Sequence, residues 1–191
     1  PQIAAQEENI SSIRKDALDQ LADTLVINDK KEPLQLIFIC THNSRRSIFA
    51  EVWASILADY YQLPVKAYSG GTEVTAVHQN TLDCLENNGL SILRGSDRQN
   101  AKVQIRYGAN QQLTTFSKLV DDPGNPQQNF SAIMLCDNAA ENCPFIPNAL
   151  QRINLTFTDP KQFDHANNSM EKYREVFMQT GRELHFLFRK L

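Results

Sequence analysis

Leu36-Ile37-Phe38-Ile39-Cys40-Thr41-His42-Asn43-Ser44-Arg45-Arg46-Ser47 decides the fold of this chain. An apolar run ends in a cysteine, five polar residues follow, and an Arg-Ser pair opens a segment with helical periodicity. The run predicts a buried strand that delivers Cys40 to the edge of a sheet. The residues after it, Thr41, His42, Asn43, Ser44, Arg45 and Arg46, predict a cradle of backbone N–H groups aimed at one point, backed by the positive end of the next helix. Such surroundings favour a thiolate, so Cys40 is the expected nucleophile. Arg46 offers a planar, permanently charged fork for two oxygens of phosphate or arsenate. The competing account of Cys40 is a small buried hydrophobe at a strand end; the strand, polar loop and helix start coinciding around it argue for the functional one.

Working outward, Leu34 to Ile39 reads as the first strand, Ser47 to Tyr61 as a helix, and Val65 to Ser69 as a second strand stopped by Gly70-Gly71. Asn80 to Asn88 reads as a short helix closed by Asn88-Gly89. Phe130 to Leu135 and Ile153 to Thr158 read as further strands, and Glu171 to Lys190 as the closing helix. Alternating strands and helices predict an α/β fold: an open, parallel, four-stranded sheet with helices on both faces. Before it, residues 7–26 carry Ile10, Ile13, Ala17, Leu18, Leu21 and Leu25 on one helical stripe, followed by a charged linker that ends at Pro33. The expected division is therefore an N-terminal helix and linker over 1–33 and a catalytic domain over 34–191. An insertion at about 91–129 breaks the rhythm. Within it, Val103 to Gly108 and Leu113 to Val120 are expected to pair as a hairpin.

The bulk properties narrow the function classes. At 191 residues with a formal net charge of -3, the chain has no basic field calling for nucleic acid or an acidic membrane. No apolar run is long enough for a transmembrane helix, and residues 1–9 lack a signal pattern. Four cysteines without dense regular spacing suit a reducing cytoplasm.

The strand Phe130 to Leu135 also ends in a cysteine, within Cys136-Asp137-Asn138-Ala139-Ala140-Glu141-Asn142-Cys143-Pro144. In an open parallel sheet, reactive groups gather beyond the carboxyl ends of the strands, so Cys40 and Cys136 are expected at one edge. On the residues alone, Cys136 and Cys143 are redox partners or incidental core thiols. Their spacing is too wide for a usual zinc knuckle, and no metal is expected. Cys84 reads as packing. Asp159, before Pro160, is placed to act as a general acid or simply to start a turn.

Cys40-x5-Arg46-Ser47 with Asp159-Pro160 far downstream resembles the low-molecular-weight protein tyrosine phosphatase superfamily. Cys136-x6-Cys143-Pro144, and Tyr68-Ser69-Gly70-Gly71-Thr72-Glu73, look like its thioredoxin-coupled arsenate reductases. The resemblance covers about residues 34–190 apart from the insertion, and phosphatases of this fold generally lack the cysteine pair. It implies that Cys40 attacks arsenate, that Cys136 attacks Cys40 and releases arsenite, and that Cys143 takes over the disulfide for thioredoxin to reduce. It also implies that Asn43 fixes a strained turn; from the residues themselves, Ser47 is expected to donate a hydrogen bond to the Cys40 thiolate and help keep it ionised. No cofactor is needed for this chemistry. Some reductases of the group bind potassium through residues matching Asn43 and Glu51; here the reading taken for Glu51 is an exposed helix carboxylate. His42 and Arg45 depart from the group's loop, His42 as a rim residue and Arg45 as a second charge. Two alternatives follow: a phosphatase working through a Cys40 phosphocysteine, and a non-catalytic oxyanion- or redox-sensing module with a partner on the N-terminal helix.

Overall fold

In the computed structural model, which describes residues 4–25, 32–97, 99–136 and 145–191, the Cys40 strand lies inside a sheet. Strands β1 (Leu34–Cys40), β2 (Val65–Gly71), β6 (Phe130–Met134) and β7 (Ala149–Asn154) are all parallel, in the order β2-β1-β6-β7. From Leu36 to Cys40 and from Phe130 to Met134 every residue is buried. Continuous burial, rather than alternation, is what a parallel sheet covered on both faces demands. Cys40 pairs with Gly71 in the register of β1 and β2, at the carboxyl edge of the sheet.

Gly71 is required by the loop that follows Cys40. A Cβ there would stand 2.7 Å from the Thr41 carbonyl oxygen and 2.9 Å from the Asn43 nitrogen. Without it, Thr72 N and Glu73 N can both donate to Thr41 O at 2.9 Å. The Gly-Gly pair therefore lets the loop rest on the bare backbone of the neighbouring strand.

Helix α2 (Arg46–Tyr61) follows the loop and packs on β1 and β2. Helix α3 (Gln79–Asn87) ends before Gly89, whose φ of 93° is the left-handed stop expected from Asn88-Gly89. Helix α4 (Ser169–Phe188) packs against α2, where Trp53 stacks on Phe177 and its indole N–H donates to Phe177 O at 2.8 Å. The outer side of α2 (Phe49, Val52) forms a second core with Leu85, Ile105, Tyr173 and Phe177.

Four expected boundaries are corrected. The N-terminal stripe is two elements, a 3-10 turn (Ala4–Asn9) and helix α1 (Ser12–Thr24), with the Ser11 hydroxyl accepting from Arg14 N. The buried stripe of α1 is Leu18 and Leu21, continued by Leu25 at i, i+3 and i+7, and Ile13 falls off this stripe, 81% exposed. The insertion does contain the expected hairpin, β4 (Val103–Arg106) antiparallel to β5 (Gln112–Thr115), but a further strand, β3 (Ser91–Arg94), pairs with β4 and makes it a three-stranded sheet. Strand β5 stops at Thr115 because the next residues turn to the main sheet: Gly71 N donates to Lys118 O, and Val120 N donates to Gly71 O. The last strand is Ala149–Asn154, not 153–158; residues 155 and 157 continue with single hydrogen bonds to Met134 and Leu135. No helix among the described residues is long and apolar enough to cross a membrane.

Candidate active site

The turn from β1 into α2 is fixed by Asn43. Its φ of 45° lies in the left-handed region that Asn tolerates better than most residues. The buried side chain fills both roles of an amide: Nδ2 donates to Ser47 Oγ at 2.8 Å, and Oδ1 accepts from Lys118 N at 2.9 Å. Ser47 Oγ lies 3.1 Å from Cys40 Sγ. Because Ser47 already accepts from Asn43, its own proton is left for the sulfur, a bond that a thiolate receives better than a thiol. Asn43 thus bonds Ser47, and Ser47 in turn bonds Cys40.

Arg46 is held on the strand-end side of the loop. Nη1 donates to Phe157 O at 3.2 Å and Leu135 O at 3.4 Å, and Nη2 donates to Asp159 Oδ2 at 2.6 Å. Its guanidinium is buried, whereas the Asp159 side chain is 41% exposed. The other Asp159 oxygen accepts from Lys161 N at 3.0 Å and caps the 3-10 turn Pro160–Phe163. The Asp159 side chain thus starts the turn and also meets the arginine of the Cys40 loop.

The second cysteine also reaches the loop. Cys136 is buried just after β6, and its Sγ lies 3.6 Å from Thr41 Oγ1. Cys143 and Pro144 lie outside the described residues. Cys84 is buried within α3, and burial pushes its thiol up to about 12, in keeping with packing.

Arg45 departs from its expected role as a second charge at the loop. Its Nε donates to Tyr173 Oη at 2.6 Å and its Nη2 to Asp164 Oδ2 at 2.5 Å, so its charge is neutralised within the chain. Tyr173 O–H donates to Asp164 Oδ1, and His78 Nε2 lies 3.6 Å from Asp164 Oδ2. Burial alone would raise the Asp164 carboxyl, but the Tyr173 hydrogen bond and the charges of Arg45 and His78 outweigh it and hold it below the ordinary value. Burial, then Arg45, pushes His78 down. His42 is a rim residue, its Nε2 3.4 Å from the Glu73 carboxylate. The Ser44 hydroxyl donates to Ala76 O at 2.6 Å.

Glu51 is corrected outright. It is buried, and its Oε2 accepts from Ser69 Oγ and Thr115 Oγ1, each at 2.7 Å. Burial raises its carboxyl above the ordinary value, opposed by the Lys118 charge. Asn43 Oδ1 is taken by Lys118 N, and the buried Lys118 already sets a positive charge against Glu51. This donor set does not call for a potassium ion.

The insertion supplies contacts that sequence reasoning missed. Ser117 Oγ donates to His42 O at 2.8 Å and accepts from Thr75 N at 2.9 Å. With Lys118 N on Asn43, the residues after β5 brace the nucleophile loop from outside the main sheet. In the sequence, only the turn-forming Asp122-Pro123-Gly124 behind them marks a change of direction here.

Comparison with known proteins fits this geometry. The model of the family "Low molecular weight phosphotyrosine protein phosphatase" matches residues 35–107. The chain is 30% identical over 133 residues to arsenate reductase 2 of Staphylococcus epidermidis, covering 69% of this chain and 80% of that protein. It is 29% identical over 126 residues to an arsenate reductase of Staphylococcus aureus, covering 65% and 77%. The fold is similar to that of an arsenate reductase from Archaeoglobus fulgidus (TM-score 0.54, 20% identity, 81% of this chain and 98% of that one). It is also similar to a low molecular weight phosphotyrosine phosphatase from Vibrio cholerae (TM-score 0.56, 15% identity, 81% and 94%). A parallel four-stranded α/β sheet with a Cys-x5-Arg loop at its carboxyl edge defines the class. The chain belongs to the low molecular weight phosphotyrosine protein phosphatase family, a family of enzymes, and has arsenate reductases among its relatives.

Proposed function

We propose that this protein reduces arsenate to arsenite by a cysteine relay. The observation that carries the reading is the Cys136 thiol beside the nucleophile loop, 3.6 Å from Thr41 Oγ1, since hydrolysis of a phosphomonoester has no use for a second thiol there. The oxyanion sits in the cradle of Thr41 to Arg46, with Arg46 balancing its charge. The Cys40 thiolate attacks arsenic, and Asp159 delivers a proton to the oxygen that leaves as water. The Cys136 thiolate then attacks Cys40 Sγ. The S–As bond breaks with its electron pair remaining on arsenic, so arsenite departs and a Cys40–Cys136 disulfide forms. Cys143 attacks Cys136, frees Cys40 as a thiolate and carries the disulfide outward, where thioredoxin supplies two electrons. We assign this chemistry to residues 34–191 and to a reducing cytoplasm, with residues 1–33 as an N-terminal helix and linker.

A second reading is favoured by Asp159 standing against Arg46: phosphomonoester hydrolysis through a Cys40 phosphocysteine. The deciding experiment runs both assays on wild type and on Cys136→Ala. Arsenate-dependent NADPH consumption with thioredoxin and its reductase should vanish in Cys136→Ala and in Cys143→Ala, while para-nitrophenyl phosphate hydrolysis persists. Arsenate turnover that survives both substitutions would sink the relay.

A further inference from the structure

Two adjacent arginines hold one short segment by its two ends. Arg46 Nη2 lies 2.6 Å from Asp159 Oδ2, and Arg45 Nη2 lies 2.5 Å from Asp164 Oδ2. Between the two carboxylates runs the 3-10 turn Pro160–Phe163, capped at its start by Asp159 and closed by Asp164 N donating to Lys161 O at 3.1 Å. Consecutive residues at a helix start point in different directions, so the two guanidinium groups take hold at separate points. The far end is the firm one. Asp164 and Arg45 are almost buried, Tyr173 is fully buried, and both carboxylate oxygens of Asp164 are bonded. Tyr173 gives its proton to Asp164 and receives Arg45 Nε on its oxygen, while His78 Nδ1, 3.2 Å from the same oxygen, accepts from Asn80 N. The near end is loose by comparison, because Asp159 is 41% exposed.

We propose that Asp164 is a positioning residue for Asp159: fixed by Arg45 and Tyr173, it anchors the turn that sets the Asp159 carboxylate over the nucleophile loop. The inference rests on the reading of Cys40 as nucleophile and Asp159 as its acid. It deepens that reading by giving Arg45 a task that leaves the oxyanion to Arg46 alone. A position held through charge-assisted, buried bonds matters to proton transfer because a misplaced acid loses most of its rate advantage.

The test compares wild type, Asp164→Asn, Asp159→Asn and the double variant on aryl phosphates with basic and with activated leaving groups. A misplaced acid should slow phenyl phosphate by about tenfold or more while sparing dinitrophenyl phosphate, whose leaving group needs no proton. KM should stay within about twofold. The double variant should be no slower than Asp159→Asn alone. An equal loss on both substrates, or additive losses in the double variant, would show that Asp164 merely supports the fold and would overturn the inference. Tyr173→Phe, which removes one bond to Asp164, should show the same selectivity to a smaller degree, and it serves if Asp164→Asn does not fold. A readout without turnover separates the two layers of the argument. The carbon-13 carboxyl resonance of Asp159 should move in Asp164→Asn towards that of an unpaired surface aspartate, and an unmoved resonance overturns the proposal. A wild type that hydrolyses nothing, with a resonance that does move, would fault the catalytic reading and uphold the positioning one.

Discussion

Asp159 Oδ2 stands 2.6 Å from Arg46 Nη2, so the cation expected to meet an oxyanion is already partnered by a carboxylate of its own chain. An incoming dianion meets a negative charge at the clamp as well as a positive one, and the two oppose each other in binding. Under the proposed mechanism the same carboxylate is an asset, because a proton placed on it would discharge the leaving oxygen.

Asp159→Asn should therefore tighten oxyanion binding and slow turnover together. Competitive inhibition by inorganic phosphate should strengthen several-fold, while hydrolysis of a substrate with a basic leaving group falls by about 10²- to 10⁴-fold. Weaker phosphate inhibition in the variant would mean that Asp159 supports the clamp instead of competing with the ligand.

Ser47→Ala removes the hydroxyl that bonds Cys40 Sγ at 3.1 Å. A hydrogen bond to a charged group is worth about 1.5–3 kcal/mol, so Cys40 alkylation by iodoacetamide at neutral pH should slow by about tenfold or more. An unchanged alkylation profile would leave the serine as a spacer.

Glu51 gives a pH signature in stability. Its carboxyl is raised above the ordinary value of 4.5 by burial, so the folded protein holds that proton more tightly than the unfolded chain does. The resulting stabilisation is complete below about 4.5 and is lost as the pH rises through the raised folded value. Glu51→Gln keeps the acceptor oxygen for Ser69 and Thr115 but cannot ionise. Its thermal midpoint should fall less than that of wild type as pH is raised across this window; parallel curves for the two proteins would refute the assignment.

Gly181 in α4 faces Trp53 of α2, and a Cβ there would enter the indole ring's own space. Gly181→Ala should cost about 1–3 kcal/mol through overpacking, despite the better helix propensity of alanine. Denaturant unfolding would show it, and a stabilised variant would mean that the two helices can separate without loss.

The parts of this site that a strand-loop-helix pattern carries were legible before any geometry. The buried run Leu36 to Cys40 placed Cys40 at the sheet's edge, and the apolar run Phe130 to Leu135 brought Cys136 to the same edge. What escaped is what depends on distant partners. Glu51 looks like any helix carboxylate until Ser69 and Thr115 converge on it from 18 and 64 residues away. Arg45 reads as a spare charge because Asp164 and Tyr173 are 119 and 128 residues further on. Strand β3 is four residues long and mostly exposed, so it carried no periodic signal. The apolar alternation Ile153, Leu155, Phe157 points later than strand β7 because Leu155 and Phe157 are buried beyond its end, while β7 itself has no fully buried residue.

The brace formed by the insertion has a practical corollary for anyone moving this loop between proteins. Lys118 reaches Asn43 through its backbone amide, so that contact can be kept with nearly any side chain at position 118 and is forfeited only with proline. Ser117, by contrast, reaches His42 through its hydroxyl. A transplant of residues 40–47 into a smaller relative would therefore leave Asn43 and His42 without their outside supports. The portable unit is discontinuous: the loop, together with the short stretch 115–118 that the insertion carries to it.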